Sequence, residues 1–316
     1  MIFWKVFESI ILLLGIGFIG FAIISRKIVS IKILDVISPL VLDIALPCLI
    51  FTNIILKFDP IAFPEWWTLP LWWIGFIIVT FLLSLAGIRL VQKKYRPEFS
   101  ISLLYPNAIF VPMVIIQNLF GDSSSILVEL FLFTLFFPAL MFNTYHLFFR
   151  NGGSVKNKFN WSKFFNPILV VTILAVVLRL SGAHQNIPNV ILSITKILGD
   201  TALPLILILI GGNVYVDFKR KGKIQLKHIL LFVTLKNFLF PLIVLAILVI
   251  IKPTFSIAFL IFLLSTVPPI TTIPILTNKA GGNTSLTNQF LISSFLVSII
   301  SIPMAMLLFE SFFTLN

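Results

Sequence analysis

Two proline pairs with polar neighbours are the features of this sequence best suited to binding a solute. Pro106 and Pro112 stand six residues apart, and so do Pro268 and Pro274. Proline removes a backbone donor and clashes with the preceding turn, so each pair predicts an interrupted helix with unpaired carbonyl groups. The resumed half-helices would begin with free N–H groups and partial positive charge, which suits an anionic group.

Polar side chains beside these interruptions extend the predicted site. We expect the substrate-binding residues to be the prolines together with the nearby amides and hydroxyls: Pro106, Asn107, Pro112, Pro269, Thr271, Thr272, Pro274 and Asn278. A proline kink packed against neighbouring helices would explain one such pair equally well. The matched second pair favours a binding site.

Charged residues inside apolar runs are the candidates for ion coupling. Asp43 and Asp200 each stand four residues before a proline, and Lys236 lies in a third apolar run. A charge at the bilayer centre costs at least about 2.5 kcal/mol, so such residues face the bundle interior, a partner or an ion pathway. Asp200 could instead pair with Lys196 one turn earlier. Lys236 could neutralise a substrate carboxylate or snorkel to the cytoplasmic interface, and Glu129 is expected to be solvated.

The composition shows what kind of protein holds these residues. The hydrophobic fraction is 59%, the charged fraction 11% and the mean hydropathy +1.11. Soluble domains carry about a quarter charged residues, so an all-α integral membrane protein is predicted. The net charge of +12 lies in short loops, and no nucleic-acid partner is expected. One cysteine, Cys48, and three histidines without ligand spacing predict no disulfide, metal site or cofactor.

Apolar runs separated by turn and charge signals predict ten transmembrane helices. The predicted spans are 7–25, 36–56, 69–91, 100–119, 126–149, 164–182, 188–215, 228–251, 255–278 and 287–309. Of the 23 Lys and Arg residues, 17 fall in the loops after odd-numbered spans and 4 on the opposite side. Basic loops favour the cytoplasm. We therefore expect a multi-pass protein of the plasma membrane with both termini extracytoplasmic.

The two halves of the chain resemble each other. Residues 43–47 read DIALP and residues 200–204 read DTALP, and the second proline pair follows the first at an offset of 162. The matches divide the chain into a first repeat at 1–150, a cytoplasmic connecting loop at 151–163 and a second repeat at 164–316. Because five spans is an odd number, the second repeat must insert in the opposite sense, as in many secondary transporters. The predicted fold is two inverted five-helix repeats with broken, crossing helices 4 and 9.

Several short segments resemble the auxin efflux carrier family, which includes plant auxin exporters and bacterial dicarboxylate permeases. They cover nearly the whole chain in order: Ala45-Leu-Pro47, Asn166-Pro167, Gly199-Asp200-Thr-Ala-Leu-Pro204 with Gly211, Lys236 five residues before Pro241, and Pro268-Pro269-Ile-Thr271 running to Gly281-Gly282. The resemblance implies inverted five-span repeats whose broken helices cross at the substrate site. Asn107 stands where the family has an asparagine in its fourth span.

The chain departs from the family pattern at two places. After that asparagine the family has glycines and then a proline seven residues on, whereas position 112 is proline and position 114 is valine here. The position of the helix 4 break is therefore left open. Asp43 stands where the family pattern has an uncharged residue, often asparagine.

The leading hypothesis is a secondary active transporter that moves small organic anions by alternating access. The resemblance implies auxin-like carboxylates or dicarboxylates as substrates. No ATP-binding loop is evident, so a proton or sodium gradient or the membrane potential would supply the driving force. The alternatives are a sodium-coupled symporter of the bile-acid type and a passive anion channel. A membrane-embedded enzyme ranks last, because no His or carboxylate pair suits catalysis. Whether the protein forms a homodimer in the lipid bilayer is left open.

Overall fold

The computed structural model describes residues 2–121, 124–149, 165–219 and 224–313, which are helical without any β-strand. Up to residue 149 the α-helices are α1 (Ile2–Ser25), α2 (Ile33–Pro39), α3 (Leu46–Lys57), α4 (Leu69–Gly87), α5 (Arg96–Leu104), α6 (Phe110–Phe120), α7 (Ile126–Phe133) and α8 (Phe137–Thr144). From residue 165 they are α9 (Pro167–Leu180), α10 (Asn189–Asp200), α11 (Ala202–Lys219), α12 (Leu226–Val233), α13 (Phe240–Ile251), α14 (Phe255–Thr266), α15 (Ile273–Lys279) and α16 (Thr284–Glu310). The predicted connecting loop at 151–163 lies outside the described residues.

Seven helical stretches in the described part are long and apolar enough to cross a membrane. They are Ile2–Ser25, Ile33–Lys57, Trp66–Leu90, Ile126–Phe149, Asn189–Val216, Leu226–Ile251 and Thr284–Glu310. Three shorter apolar helices are α6, α9 and α14. At about 1.5 Å rise per residue, their 11, 14 and 12 residues fall short of a bilayer core of about 30 Å. The prediction of an all-helical membrane protein is confirmed at this level, and the ten-helix inverted repeat stays a prediction.

Prolines shape two of the long stretches. A π-helical turn covers Leu40–Ala45 and another covers Thr234–Leu239. Each is followed directly by an α-helix with a proline in its first turn, Pro47 and Pro241. A proline has no N–H, and its ring would clash with the carbonyl group one turn earlier, so a locally widened helix relieves both conflicts. The chain therefore continues through these prolines without ending the helix.

Close glycine contacts join the first half of the chain to the second. A Cβ atom at Gly20 would overlap the carbonyl oxygen of Ile208, and one at Gly211 would overlap that of Gly17. In the same way, a Cβ at Gly199 would lie 2.8 Å from the Cα of Leu49. Helix α1 therefore packs on α11, and α3 on α10, at a distance that only glycine permits. These contacts form a frame of helices from both halves.

Candidate functional site

The two proline-containing interruptions meet inside the protein. The first separates α5 from α6, and the second separates α14 from α15. The backbone N–H of Asn107 donates to the Pro268 carbonyl at 2.8 Å, and the N–H of Ile270 donates to the Tyr105 carbonyl at 3.0 Å. Each break thus gives one donor and one acceptor to the other, which satisfies backbone groups that lipid could not.

The register of this pairing differs by one residue from the offset seen in the sequence. The sequence aligns Pro106 with Pro268, whereas the structure pairs Pro106 with Pro269 in an isolated antiparallel bridge. The physical reason is that each donor is the residue after the paired proline, and Pro269, which follows Pro268, has no N–H. Asn107 and Ile270 follow the paired prolines, and they therefore occupy equivalent positions in the two breaks.

The paired segments 105–107 and 268–270 are called the crossing below. The Asn107 side chain is fully buried there, with 0% exposure. Its Oδ1 accepts a hydrogen bond from the Phe110 N–H at 3.2 Å, at the start of α6. Its Nδ2 has no acceptor in the part of the chain that the structure describes. A buried donor without a partner costs about 1–3 kcal/mol. An acceptor brought by a solute, above all a carboxylate oxygen, would remove that cost.

Most of the other predicted substrate residues lie around the crossing, and one does not. Thr271 is 5% exposed, and the Thr272 hydroxyl donates to Met141 Sδ at 3.8 Å. Pro112 and Pro274 are buried in the first turns of α6 and α15. These four residues lie near Pro106, Asn107 and Pro269, and Met141 is a neighbour that the sequence did not indicate.

Asn278 is the predicted residue that the structure leaves apart from the crossing. It is exposed near the C-terminal end of α15, whereas the break lies before the N-terminal end of that helix. At about 3.6 residues per turn, the five positions from Ile273 to Asn278 carry it more than one turn away. Asn278 was predicted to line the site because it is close in sequence to Thr271 and Thr272. The helix α15 that begins between them carries it away from the break.

Lys236 is a buried cation beside the second broken segment. Its side chain is 1% exposed, and its Nζ donates to the Ser265 carbonyl at 3.3 Å. Ser265 lies in the last turn of α14, where the helix dipole favours a positive charge. Among the described residues no carboxylate pairs with Lys236. The snorkelling alternative does not fit this burial, and the ammonium group lies next to the helix that leads into the crossing.

The two aspartates named for ion coupling lie on the surface of the described chain. Asp43 is exposed in the first π-helical turn. Asp200 pairs with Lys196 at 2.7 Å across one turn of α10, and the two side chains are 58% and 59% exposed. The structure therefore has the helical ion pair that the sequence left open as an alternative, and it does not place either aspartate at the crossing.

Asp200 and Lys196 line a cavity of about 500 Å³ that the sequence did not indicate. Its other polar side chains include Asn53, Lys57 and Gln117. The cavity lies between α3, the α10–α11 stretch and α6, where helices distant in sequence come together. The ionic groups of the pair therefore face a space with further amides and a second ammonium group.

Two buried glutamates were missed by the sequence reasoning or interpreted wrongly. Glu129 is 5% exposed and accepts a hydrogen bond from Ser125 Oγ at 3.2 Å, so the expectation of a solvated side chain was wrong. Glu98 is 4% exposed, and its Oε1 accepts from the Asn283 N–H at 2.7 Å. Glu98 stands in the first turn of α5 and follows basic residues, a pattern that is typical of a solvent-exposed helix N-terminus. Only the packing of a distant helix buries it.

A comparison with known families gives one match. A family model described as a membrane transport protein matches residues 5–306. No curated protein matches the chain. The matched range includes both proline breaks, the buried lysine and the glycine contacts between the halves.

Proposed function

Because the chain belongs to the auxin efflux carrier family of membrane transport proteins, we propose that it is a secondary active transporter of small organic anions. The family consists of transporters and not of enzymes. The proposed substrates are carboxylates, either auxin-like monocarboxylates or dicarboxylates.

The unpaired amide of Asn107 is the observation that carries this proposal. Its two N–H groups are buried at the point where the broken helices meet, and Nδ2 has no protein acceptor there among the described residues. A carboxylate is the acceptor that would bind this donor most strongly, since an ionised partner shortens and strengthens a hydrogen bond. The ammonium group of Lys236, which has no carboxylate partner among the described residues, adds positive charge at the end of α14, before the second break.

The proposed architecture is ten helices in two inverted five-helix repeats, at 1–150 and 164–316. The fourth helix would be α5 with α6, and the ninth would be α14 with α15. The reciprocal hydrogen bonds of the two breaks support this arrangement, because a pseudo-two-fold axis between inverted repeats would produce one bond in each direction. The basic loops support an orientation with both termini outside the cell.

The proposed mechanism is alternating access. Asn107 has no exposed surface, so a solute bound to it would be cut off from water on both sides. A passive channel would instead keep its lining groups in contact with water. Opening toward either side would then require the broken helices to move relative to the frame formed by α1, α3, α10 and α11.

The proposed source of energy is an ion gradient or the membrane potential. Lys236 is proposed to help couple ion and anion movement, because an incoming carboxylate would be a counter-charge for it. Asp43 and Asp200 stay predictions for coupling, supported by their equivalent sequence positions. A sodium-coupled symporter of the bile-acid type stays the second candidate, and uptake of bile acids in place of small carboxylates separates the two.

Uptake into proteoliposomes tests the proposed function. Purified protein would be reconstituted and offered labelled mono- and dicarboxylates under imposed proton or sodium gradients. We expect at least one carboxylate to accumulate, and Asn107→Leu to lower its uptake at least about tenfold, because the unpaired amide donor found at the crossing is lost. Bile-acid uptake that requires sodium would favour the second candidate.

The control for this experiment is Asn189→Leu, which makes the same substitution at an exposed position at the start of α10. Both variants should elute as folded protein on size exclusion, and only Asn107→Leu should lose uptake. If the unmodified protein neither accumulates nor exchanges any anion of the panel, the proposed function is wrong.

A further inference from the structure

Three buried oxygen atoms without a hydrogen-bond partner lie where α5, α15 and α16 pack together. They are Glu98 Oε2, Ser102 Oγ and Thr277 Oγ1, and none has a partner in the described part of the chain. The three residues are 4%, 1% and 0% exposed. Such groups are uncommon, because leaving a buried polar atom unpaired costs about 1–3 kcal/mol.

Two backbone hydrogen bonds bring these residues to the same place. Glu98 Oε1 accepts a hydrogen bond from the Asn283 N–H at 2.7 Å. The N–H of Gly282, the residue before Asn283, donates to the Thr277 carbonyl at 2.9 Å. Ser102 stands four residues after Glu98 on α5 and thus on the same face. Helix α5 contacts both α15 and α16. The residues that carry the three oxygens therefore lie on the helices that pack at the connection from α15 to α16.

The Glu98 carboxylate has no cation beside it in the described structure. The basic residues nearest to these oxygens in sequence are engaged or exposed: Arg96 Nε donates to the Val91 carbonyl, and Lys279 is exposed at the end of α15. Glu98 forms no ion pair with any of the described residues. A buried carboxylate without a positive partner is costly, so a positive ligand would stabilise this arrangement.

The donor set identifies the kind of ligand. All three free atoms are hard oxygens, and together they carry a single negative charge. Divalent ions are held by more carboxylates, and the described residues contain no group of three His, Cys, Asp or Glu that could hold a metal ion. A proton on Glu98 Oε2 would make it a donor that can pair with one hydroxyl at most, which leaves the other hydroxyl unpaired. A monovalent metal ion can be coordinated by all three oxygen atoms.

We propose that Glu98, Ser102 and Thr277 bind a sodium ion. Helix α5 leads into the first break, and α15 leads out of the second, so an ion at this place contacts both broken segments. Sodium would thereby hold the two segments together and become the ion coupled to anion movement. The coupling role rests on the proposed transport function, whereas the binding site does not.

Thermal unfolding of the purified full-length protein, without any carboxylate solute, tests the site. Sodium chloride, potassium chloride and choline chloride would be compared at equal ionic strength. We expect sodium to raise Tm saturably by about 3–6 °C over choline, because the ion binds only the folded state. Glu98→Gln should lose this shift. Glu129→Gln, which changes a buried glutamate elsewhere, is the matched control and should keep it.

Three outcomes would overturn the site. They are no sodium-specific shift in the unmodified protein, a full shift in Glu98→Gln, or loss of the shift in Glu129→Gln as well. If Glu98→Gln does not fold, Ser102→Ala and Thr277→Val decide, since each should weaken sodium affinity about fivefold. A sodium shift in a protein that moves no anion would leave the site standing and remove the proposed function. Anion uptake by a protein that shows no sodium-specific shift would leave the proposed function standing and remove the sodium site.

Discussion

The two breaks share a backbone arrangement and differ in the side chain at its centre. In each, a paired proline is followed by the residue whose N–H reaches across to the other break. That residue is Asn107 in the first break and Ile270, 8% exposed, in the second. The amide keeps unpaired donors, whereas the isoleucine offers only apolar surface. The backbone pairing is therefore nearly symmetric, whereas of the two residues that follow the paired prolines only Asn107 has a polar side chain.

This difference separates architecture from recognition. The backbone groups of the breaks satisfy each other without any solute, so the crossing can form in the empty protein. The Asn107 donors remain for a ligand. Side-chain changes at position 107 should therefore reduce transport more than stability, and changes at position 270 should do the opposite.

The largest effect is expected for Asn107→Asp. This variant keeps the size of the side chain and replaces the amide donors by a negative charge, which repels a carboxylate instead of binding it. Initial rates of carboxylate uptake into proteoliposomes should fall at least about 100-fold at neutral pH. Uptake near the rate of the unmodified protein would contradict the one-sided account, because the amide would then not contact the anion.

A smaller effect on uptake is expected for Ile270→Asn, which would make the two breaks alike. The new amide enters a buried apolar position and would cost about 1–3 kcal/mol, so Tm should fall by several degrees. Uptake should drop less than about tenfold, because Asn107 is unchanged. The two measurements belong together. A larger loss of uptake than in Asn107→Asp would show that the second break carries the recognition.

The sequence indicated the helical segments and both breaks because those features are local. Apolar runs and the proline pairs at Pro106 and Pro268 can be seen without any knowledge of packing. The one-residue shift to Pro269 could not be seen, since it depends on which N–H groups face each other across two distant segments. Asn107 was named for its polarity beside a proline, and its place at the crossing agrees with that reasoning.

Burial of single charged residues was the part that the sequence could not predict. Glu98 and Lys196 both stand on helices near basic or acidic neighbours, yet one is buried against α16 and the other is exposed. Glu98 is buried by contact with a segment more than a hundred residues away in the sequence. Lys196 instead pairs on the surface with a neighbour one helical turn away. The role of Asp43 and Asp200 in coupling is a prediction that uptake assays of Asp→Asn variants under ion gradients would address.

The most direct test of the central claim is an experimental structure of the protein in lipid nanodiscs with a transported carboxylate bound. The account predicts the Pro106–Pro269 pairing within the membrane and a carboxylate oxygen about 2.7–3.2 Å from Asn107 Nδ2. A carboxylate bound away from Asn107, or two unbroken helices in place of the paired breaks, would contradict it.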